Sequence, residues 1–451
     1  MGHDICHITH GESMLATVRA VLILAILTGL NVSVNAETLS DIYKIAVKND
    51  PVILAAKANY NADKETLKQG RAVLLPQIAG SANKLEPQDP TSTNPDKTTY
   101  SASLSQSLFN VPAWFQFKSA KNMDQVAEAT FAANQQDLVI RVSETYFNVL
   151  RAYENKQTRE AELSAISRQL EQTQERFEVG LLPITDVYEI QAIFDEATAN
   201  NLEASGALDI AFEKLQSLTG QSHDELSGLK DSFIATSPDP SNVDSWVEFS
   251  LANNFTLKAS QLAHQAANAT ATAAKAQHLP KITLSTDYSK RDLKPTLTSD
   301  GVITEQTSVN LNLTMPIFSG GLISSQARQS SFKAKAAKHN FIAAKRNTVQ
   351  AARSTHQQVM TNIARVKART QATKSAESAL KATQAGYEVG TRNIIDVLLA
   401  QRTVFQAKRN VASARYDYIL SMMGLKQVAG QLSPEDVFEL SNWLSLSVII
   451  K

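Results

Sequence analysis

The chain reads as a mainly α-helical protein with a small β part, folded as two internal structural repeats. Three observations lead there. First, Phe177-Glu178-Val179-Gly180, followed by Ile184, Asp186, Val187 and Gln191, returns 210 positions later as Tyr387-Glu388-Val389-Gly390, followed by Ile394, Asp396, Val397 and Gln401. A repeat at that distance means two copies of one structural unit. Second, residues 113–177 and 322–387 contain no proline, and glycine only at Gly386. Runs of this length form helices of roughly 100 Å at ~1.5 Å per residue. Third, each run is preceded by two segments with the period-two alternation of strands.

The N-terminus reads as an address. Arg19 precedes the apolar run Ala20 to Leu27, and Val34-Asn35-Ala36 follows, so residues 1–36 are an N-terminal extension and secretory signal cleaved after Ala36. The run is too short to span a bilayer comfortably. His3, Cys6, His7 and His10 lie upstream of Met14, an alternative start to Met1, and leave with the signal. Cys6 is the only cysteine, so the processed chain has no disulfide framework and no thiol chemistry. With 44 basic and 44 acidic side chains the formal net charge is zero, without the basic excess of a nucleic-acid binder. Only 6% of residues are aromatic, and Ala, Gln, Ser, Thr and Lys dominate long stretches. That suits extended helices with shallow interfaces.

Repeat 1 spans 37–233. Leu39 to Arg71 is helical, broken at Asp50-Pro51, and Pro76 stops it. Strands follow at about 77–87 and 99–109, separated by a polar, proline-containing loop. In the second strand the serines fall on one face, and Tyr100, Ala102, Leu104 and Leu108 on the other. A long helical hairpin covers 111–219. Repeat 2 spans 234–428 in the same order, with Asn253-Asn254-Phe255 echoing Asn49-Asp50-Pro51. Its strands fall at about 281–291, with Ile282, Leu284 and Tyr288, and at about 306–317, with Val309, Leu311, Leu313 and Met315. Its hairpin covers 321–424, and 429–451 form a C-terminal tail. The offset is 204 at Leu75/Leu279 but 209 at Phe109/Phe318, so the second copy carries an insertion between them. A loop absorbs such an insertion most cheaply.

Val139, Val142, Tyr146, Val149 and Tyr153 step by three and four, as do Val359, Ile363, Val366, Thr370 and Thr373. Gly180 and Gly390 end these helices, and return helices start near Thr185-Asp186 and Ile395-Asp396. Asp186 with Glu189 fits a capping box, whereas the residue matching Glu189 after Asp396 is Leu399. Apolar-out, polar-in strands of this length suit an outer-membrane barrel. Four strands cannot close one, because lipid-exposed sheet edges are forbidden, so several chains must share it. Two chains supply eight strands around a filled interior; three supply twelve and leave a lumen.

The element order, the Leu75-Pro76-Gln77-Ile78 strand start, the stretch Gly386 to Val397, Pro316 to Gly321 and the run Asn410 to Gly424 resemble the TolC family of outer-membrane efflux and secretion channels. The resemblance covers about 37 to 430. It implies a homotrimer: a twelve-strand β-barrel in outer-membrane lipid above a trimeric α-barrel of coiled-coil hairpins extending into the periplasm. The repeat boundary and the tail would form an equatorial collar. It implies a passive exit duct of a tripartite efflux pump or type I secretion system, with a periplasmic adaptor and an inner-membrane transporter as partners. The family's aperture links fall on Tyr387 and Arg392, with Asp186 as carboxylate partner. Of the family's two mouth aspartates one matches Asp396 and the other falls on Leu399, leaving one carboxylate ring. The tips gripped by adaptors match Val179, Gly180, Leu181, Val389, Gly390 and Thr391. The alternative is a soluble periplasmic coiled-coil adaptor. No phosphate loop, flanked nucleophile or metal-spaced histidine cluster follows the signal, so no catalysis, cofactor or metal is expected. His278, His339 and His356 are isolated, and Lys333, Lys335, Lys338, Lys345 and Arg346 read as a solvated helix face.

Overall fold

The computed structural model describes residues 36–87, 96–295 and 300–450, with side chains to 445. The predicted signal, with His3, Cys6, His7 and His10, lies outside the described residues, as do the tips of both strand-to-strand loops. The first half runs α1 (Leu39–Asn49), α2 (Pro51–Ala72), β1 (Gln77–Leu85), β2 (Lys97–Phe109), α3 (Val111–Glu178), α4 (Ile184–Thr219) and β3 (Leu226–Leu229). The second runs α5 (Val243–Asn253), α6 (Phe255–Lys275), β4 (Lys281–Leu293), β5 (Val302–Thr314), α7 (Leu322–Glu388) and α8 (Ile394–Val428). It ends in a tail of α9 (Pro434–Ser441) and β6 (Leu444–Ile450). The last barrel-type strand was expected at 306–317. It ends at Thr314, because Pro316 has no amide for the ladder.

Four of the strands form one antiparallel sheet in the order β1-β2-β4-β5, which leaves β1 and β5 as unpaired edges. The helices keep the same lateral order. Contacts link α2 and α4 to α3, α3 to α6 and α8, and α6 and α8 to α7. Each chain is therefore four parallel columns: β1 with α2 and α4; β2 with α3; β4 with α6 and α8; β5 with α7. The outermost columns are the first and the last.

The register sorts the sheet into two faces. Ile78, Leu104, Thr286 and Val309 line up across the four strands, and the neighbouring row is Ala79, Ser103, Asp287 and Ser308. One face carries Leu284, Leu311 and Leu313; the other is mostly polar, rich in serine, threonine and asparagine. Val309, Leu311 and Leu313 are about two-thirds exposed in the single chain. The insertion in the second repeat does not sit in the loop, as expected. Gln77 pairs with Ser105 but Lys281 with Thr314, and the β4–β5 ladder runs to Leu293–Val302 where β1–β2 stops at Leu85–Lys97. The added residues lengthen the paired strands, where each new backbone amide finds a partner, and the loop itself is shorter.

Large buried side chains concentrate at one level. Tyr146, Phe147 and Leu150 of α3 meet Leu39 and Ile42 of α1, Leu215 of α4, Tyr416 and Ile419 of α8, and Val437 of the tail. There β6 pairs with β3 at the junction between the halves, and the Tyr146 hydroxyl donates to the Ser227 carbonyl at 2.6 Å. Asp50 caps α2 at this level, accepting from the Ile53 amide at 3.1 Å. Asn254 caps α6 equivalently through the Leu257 amide at 2.8 Å.

Asp50 is 2% exposed and pairs with Arg141 of α3 at 2.7 Å. Burial pushes its carboxyl up, but hydrogen bonds from Arg141 and the Ile53 and Val52 amides, with the Arg141 charge, hold it below its ordinary 3.8. Arg141→Ala leaves that carboxylate buried and unpaired, so it should cost about 3 kcal/mol in denaturant unfolding. A carboxylate depressed in the folded state contributes fully above its unfolded pKa and loses that contribution as pH falls through the folded value. The Asp50→Asn chain should therefore lose less stability than wild type as pH falls from about 4, measured by thermal melts in detergent.

Candidate functional site at the helical tips

Both hairpin turns use the same local chemistry. Gly180 sits at φ 77° and Gly390 at φ 75°, the left-handed region that costs a side-chain-bearing residue about 1–2 kcal/mol. The Gly180 amide donates to the Phe177 carbonyl at 2.9 Å and the Leu181 amide to the Arg176 carbonyl at 2.9 Å. Gly390 and Thr391 donate likewise to Tyr387 at 3.0 Å and Gly386 at 2.8 Å. This pair of bonds satisfies carbonyls that the helix end leaves open. Gly386 is closely packed: a Cβ there would lie 2.9 Å from Arg392 Cγ, so that side chain would have to shift.

The return helices start one residue earlier than expected, at Ile184 and Ile394. The capping expectation for Asp186 is overturned. Pro183 is the N-cap of α4 and offers no side-chain acceptor, so Asp186 stands at the third position as a first-turn carboxylate. The capping box forms at the other tip. Asn393 accepts from the Asp396 amide at 2.8 Å, and Asp396 accepts from the Asn393 amide at 3.4 Å. Asp396 has a structural role that the sequence assigned to its counterpart.

Within one chain the tip residues are not paired as the resemblance suggested. Arg392, in the turn, lies 3.9 Å from Asp396 in the first turn of α8, and among the described residues Asp186 makes no ion pair. The Tyr387 hydroxyl instead accepts from Arg176 at 2.5 Å, whose guanidinium lies 5.6 Å from the ring centroid. That contact ties the end of α3 to the end of α7. Val179, Leu181 and Val389 are each at least 70% exposed. Leu399, on which the family's second mouth aspartate falls, is 51% exposed.

Behind the turns, Ile166, Leu170, Ile190, Ile394, Val397 and Leu398 bury one another, so the two hairpins share a small core. Above it Glu162 of α3, with its side chain 5% exposed, receives Arg159 at 3.0 Å, Arg409 at 3.4 Å and Arg402 at 3.8 Å. Arg402 also bonds Glu196 of α4 at 3.0 Å. Burial and the neighbouring Arg159 charge push the Arg409 pKa down, despite Glu162. The motif that the two repeats share does not include these residues. The signal lies where they differ: Glu162, Arg176, Arg402 and Arg409 answer to Ala372, Gly386, Ala192 and Ala199. Among the described residues no cluster of His, Cys, Asp and Glu could hold a metal. No described helix is long and apolar enough to cross a membrane. At the tips the two hairpins are joined by this small apolar core and by a few polar contacts.

The profile described as outer membrane efflux protein matches residues 42–221 and 246–431, one segment in each repeat. The chain is 35% identical to outer membrane protein TolC of Vibrio cholerae serotype O1, over 94% of this chain and 97% of that one. It is 28% identical to the alkaline protease secretion protein AprF of Pseudomonas aeruginosa, over 88% and 85% of the two chains. Its fold superposes on the crystal structure of the outer membrane protein VceC of Vibrio cholerae with a TM-score of 0.74 at 19% identity, covering 87% and 96%. The chain belongs to the outer membrane efflux protein family.

Proposed function

We propose that three copies of this chain form a passive exit duct in the outer membrane. It serves a tripartite efflux pump or a type I secretion system. The carrying observation is the open four-stranded sheet, whose edges β1 and β5 are both unpaired and whose apolar face is exposed. Because β1 and β5 run in opposite directions, β5 of one copy can pair antiparallel with β1 of the next, and the alternation continues unbroken around a ring. Three copies give twelve strands. They also give twelve helix columns, which at ~10 Å spacing close a ring roughly 38 Å across between axes. Eight columns would leave a much narrower bore. A polar inner face of serine, threonine and asparagine lets water and solutes pass, and the apolar outer face meets lipid.

An inner-membrane transporter would supply the energy. A periplasmic adaptor would grip the exposed tips at Val179, Gly180, Leu181, Val389, Gly390 and Thr391. At rest, Arg392 of one copy would reach Asp186 of its neighbour; with 62% of its side chain exposed, it is accessible to such a partner. Asp396 forms the carboxylate ring at the mouth. Opening would break the Arg392–Asp186 pair between copies and the Arg176–Tyr387 contact within each copy, letting the α7–α8 hairpin swing outward.

Two outcomes test this. Arg392→Ala should raise single-channel conductance in planar bilayers by removing a restraint on the closed tip; unchanged conductance contradicts the assignment. Glu162→Ala removes the buried carboxylate shared by the partly buried Arg159 and Arg409, leaves Arg402 its Glu196 partner, and should loosen the hairpin docking by about 1–3 kcal/mol. Amide exchange over 394–409 would then quicken while α1 and the central core stay protected.

A further inference from the structure

The formal net charge of zero hides a separation of charge along the columns. Between the sheet and the central core run the upper helix segments 51–72, 111–136, 255–278 and 322–352. Together they carry fourteen Lys and Arg and only four Asp and Glu. All fourteen basic side chains are exposed. Among the described residues only Lys68 of this set is in an ion pair, with Glu65 at 2.7 Å. The run on α7 that the sequence marks as a solvated face is thus one part of a belt with a net ten positive charges per chain.

Helix geometry fixes which way the belt faces. α2 packs on α3 through Tyr60, which stacks on Phe131, and α7 packs on α6 through Phe341, which stacks on His264. Leu67 and Ala334 continue these seams one heptad away. Lys64 and Arg71 come four residues after Tyr60 and Leu67, and Lys338 and Lys345 four after Ala334 and Phe341. Lys68 and Lys335 directly follow Leu67 and Ala334. Steps of four and of one turn the same way from the seam, by about 40° and 100°. α2 runs towards the sheet and α7 away from it, at opposite ends of the row, so both turns lead to the same side. Lower on α7 that side is covered. Arg353 and His356, one and four residues after the buried Ala352, reach Asp244 of α5 at 3.4 Å and the Ser241 carbonyl at 3.1 Å. α5 shares its core with α1 and α9. Three copies of these helices would block a ring roughly 38 Å across between axes, so the side they cover is the outside of the duct.

We propose that this outward belt binds the cell-wall mesh of the periplasm, a cross-linked polymer of amino sugars and short peptides whose free carboxylates make it polyanionic. The proposal rests on the trimeric duct above, whose helical tube crosses the periplasm. Depth separates this partner from lipid. From the start of α7, Arg328 lies ~9 Å and Arg346 ~36 Å along the axis, whereas the headgroup layer beside the hydrocarbon is only about 6 Å deep. A single exposed pair is worth little. Three chains, however, offer thirty net charges to a multivalent carboxylate polymer, and linked contacts reinforce one another. The bore side carries far less charge: the residues just before the seams are Asn59, Thr66, Lys333 and Asn340. The belt therefore holds the duct in the wall and does not select what passes through it.

The test sediments the processed trimer, in mild detergent, with purified protein-free sacculi. The trimer should pellet at about 50 mM salt and leave the pellet by about 500 mM, where the Debye length falls to roughly 4 Å. Lys64→Gln, Lys335→Gln and Lys345→Gln together should weaken binding about tenfold. The charge-matched Lys367→Gln, Lys374→Gln and Lys381→Gln, lower on α7, should leave it unchanged. Lys64→Arg, Lys335→Arg and Lys345→Arg should preserve it, and amidating the sacculus carboxylates should abolish it. A trimer that ignores sacculi, or that binds them equally after either glutamine triple, overturns the belt while leaving the duct standing. So does a first glutamine triple that keeps its sacculus binding but loses co-purifying anionic phospholipid, which would make lipid the partner. A wild-type monomer overturns the duct itself.

Discussion

A strand edge facing hydrocarbon exposes backbone amides and carbonyls with no partner, at a cost of several kcal/mol for each group. Everything above the helical junction answers to that constraint. The sheet is apolar on one face, four strands wide and open at β1 and β5, so one chain cannot bury its own edges in a bilayer. The helices inherit the problem, because each strand continues into a helix of the same column. A protein whose strands must be completed by a neighbour also has helices that must be completed by one.

Stability is distributed unevenly along these columns. The dense aromatic and aliphatic core lies where α1, the middle of α3, α8 and the tail meet, with Tyr146 and Tyr416 fully buried. Towards the tips the seams hold alanine, threonine and serine, and hairpin docking depends on a short apolar cluster and the arginines around Glu162. A firm girdle with weakly tied ends is what the opening proposed above would need.

Much of this fold is legible in the sequence. The 210-residue repeat, the long proline-free runs and the period-two strands each report a local geometric rule, and such rules survive without tertiary information. The misses are tertiary. Asp186 has the spacing of a capping residue, but Pro183 occupies the cap and the box forms at Asn393 and Asp396 instead. The insertion in the second repeat went into paired strands because the strand next to it could supply the hydrogen bonds. Pairing of β3 with the tail strand β6 joins segments more than 200 residues apart, and no periodicity announces it. Arg176 and Glu162 matter through residues brought near only by folding, and their trace in the sequence is a break in the repeat.

The most direct test of the central claim is the native mass of the processed protein, extracted from outer membranes in mild detergent. The account predicts a closed assembly of three chains, in which β5 of each copy completes β1 of the next and a lumen remains. A stable monomer that stays in solution without detergent would contradict it.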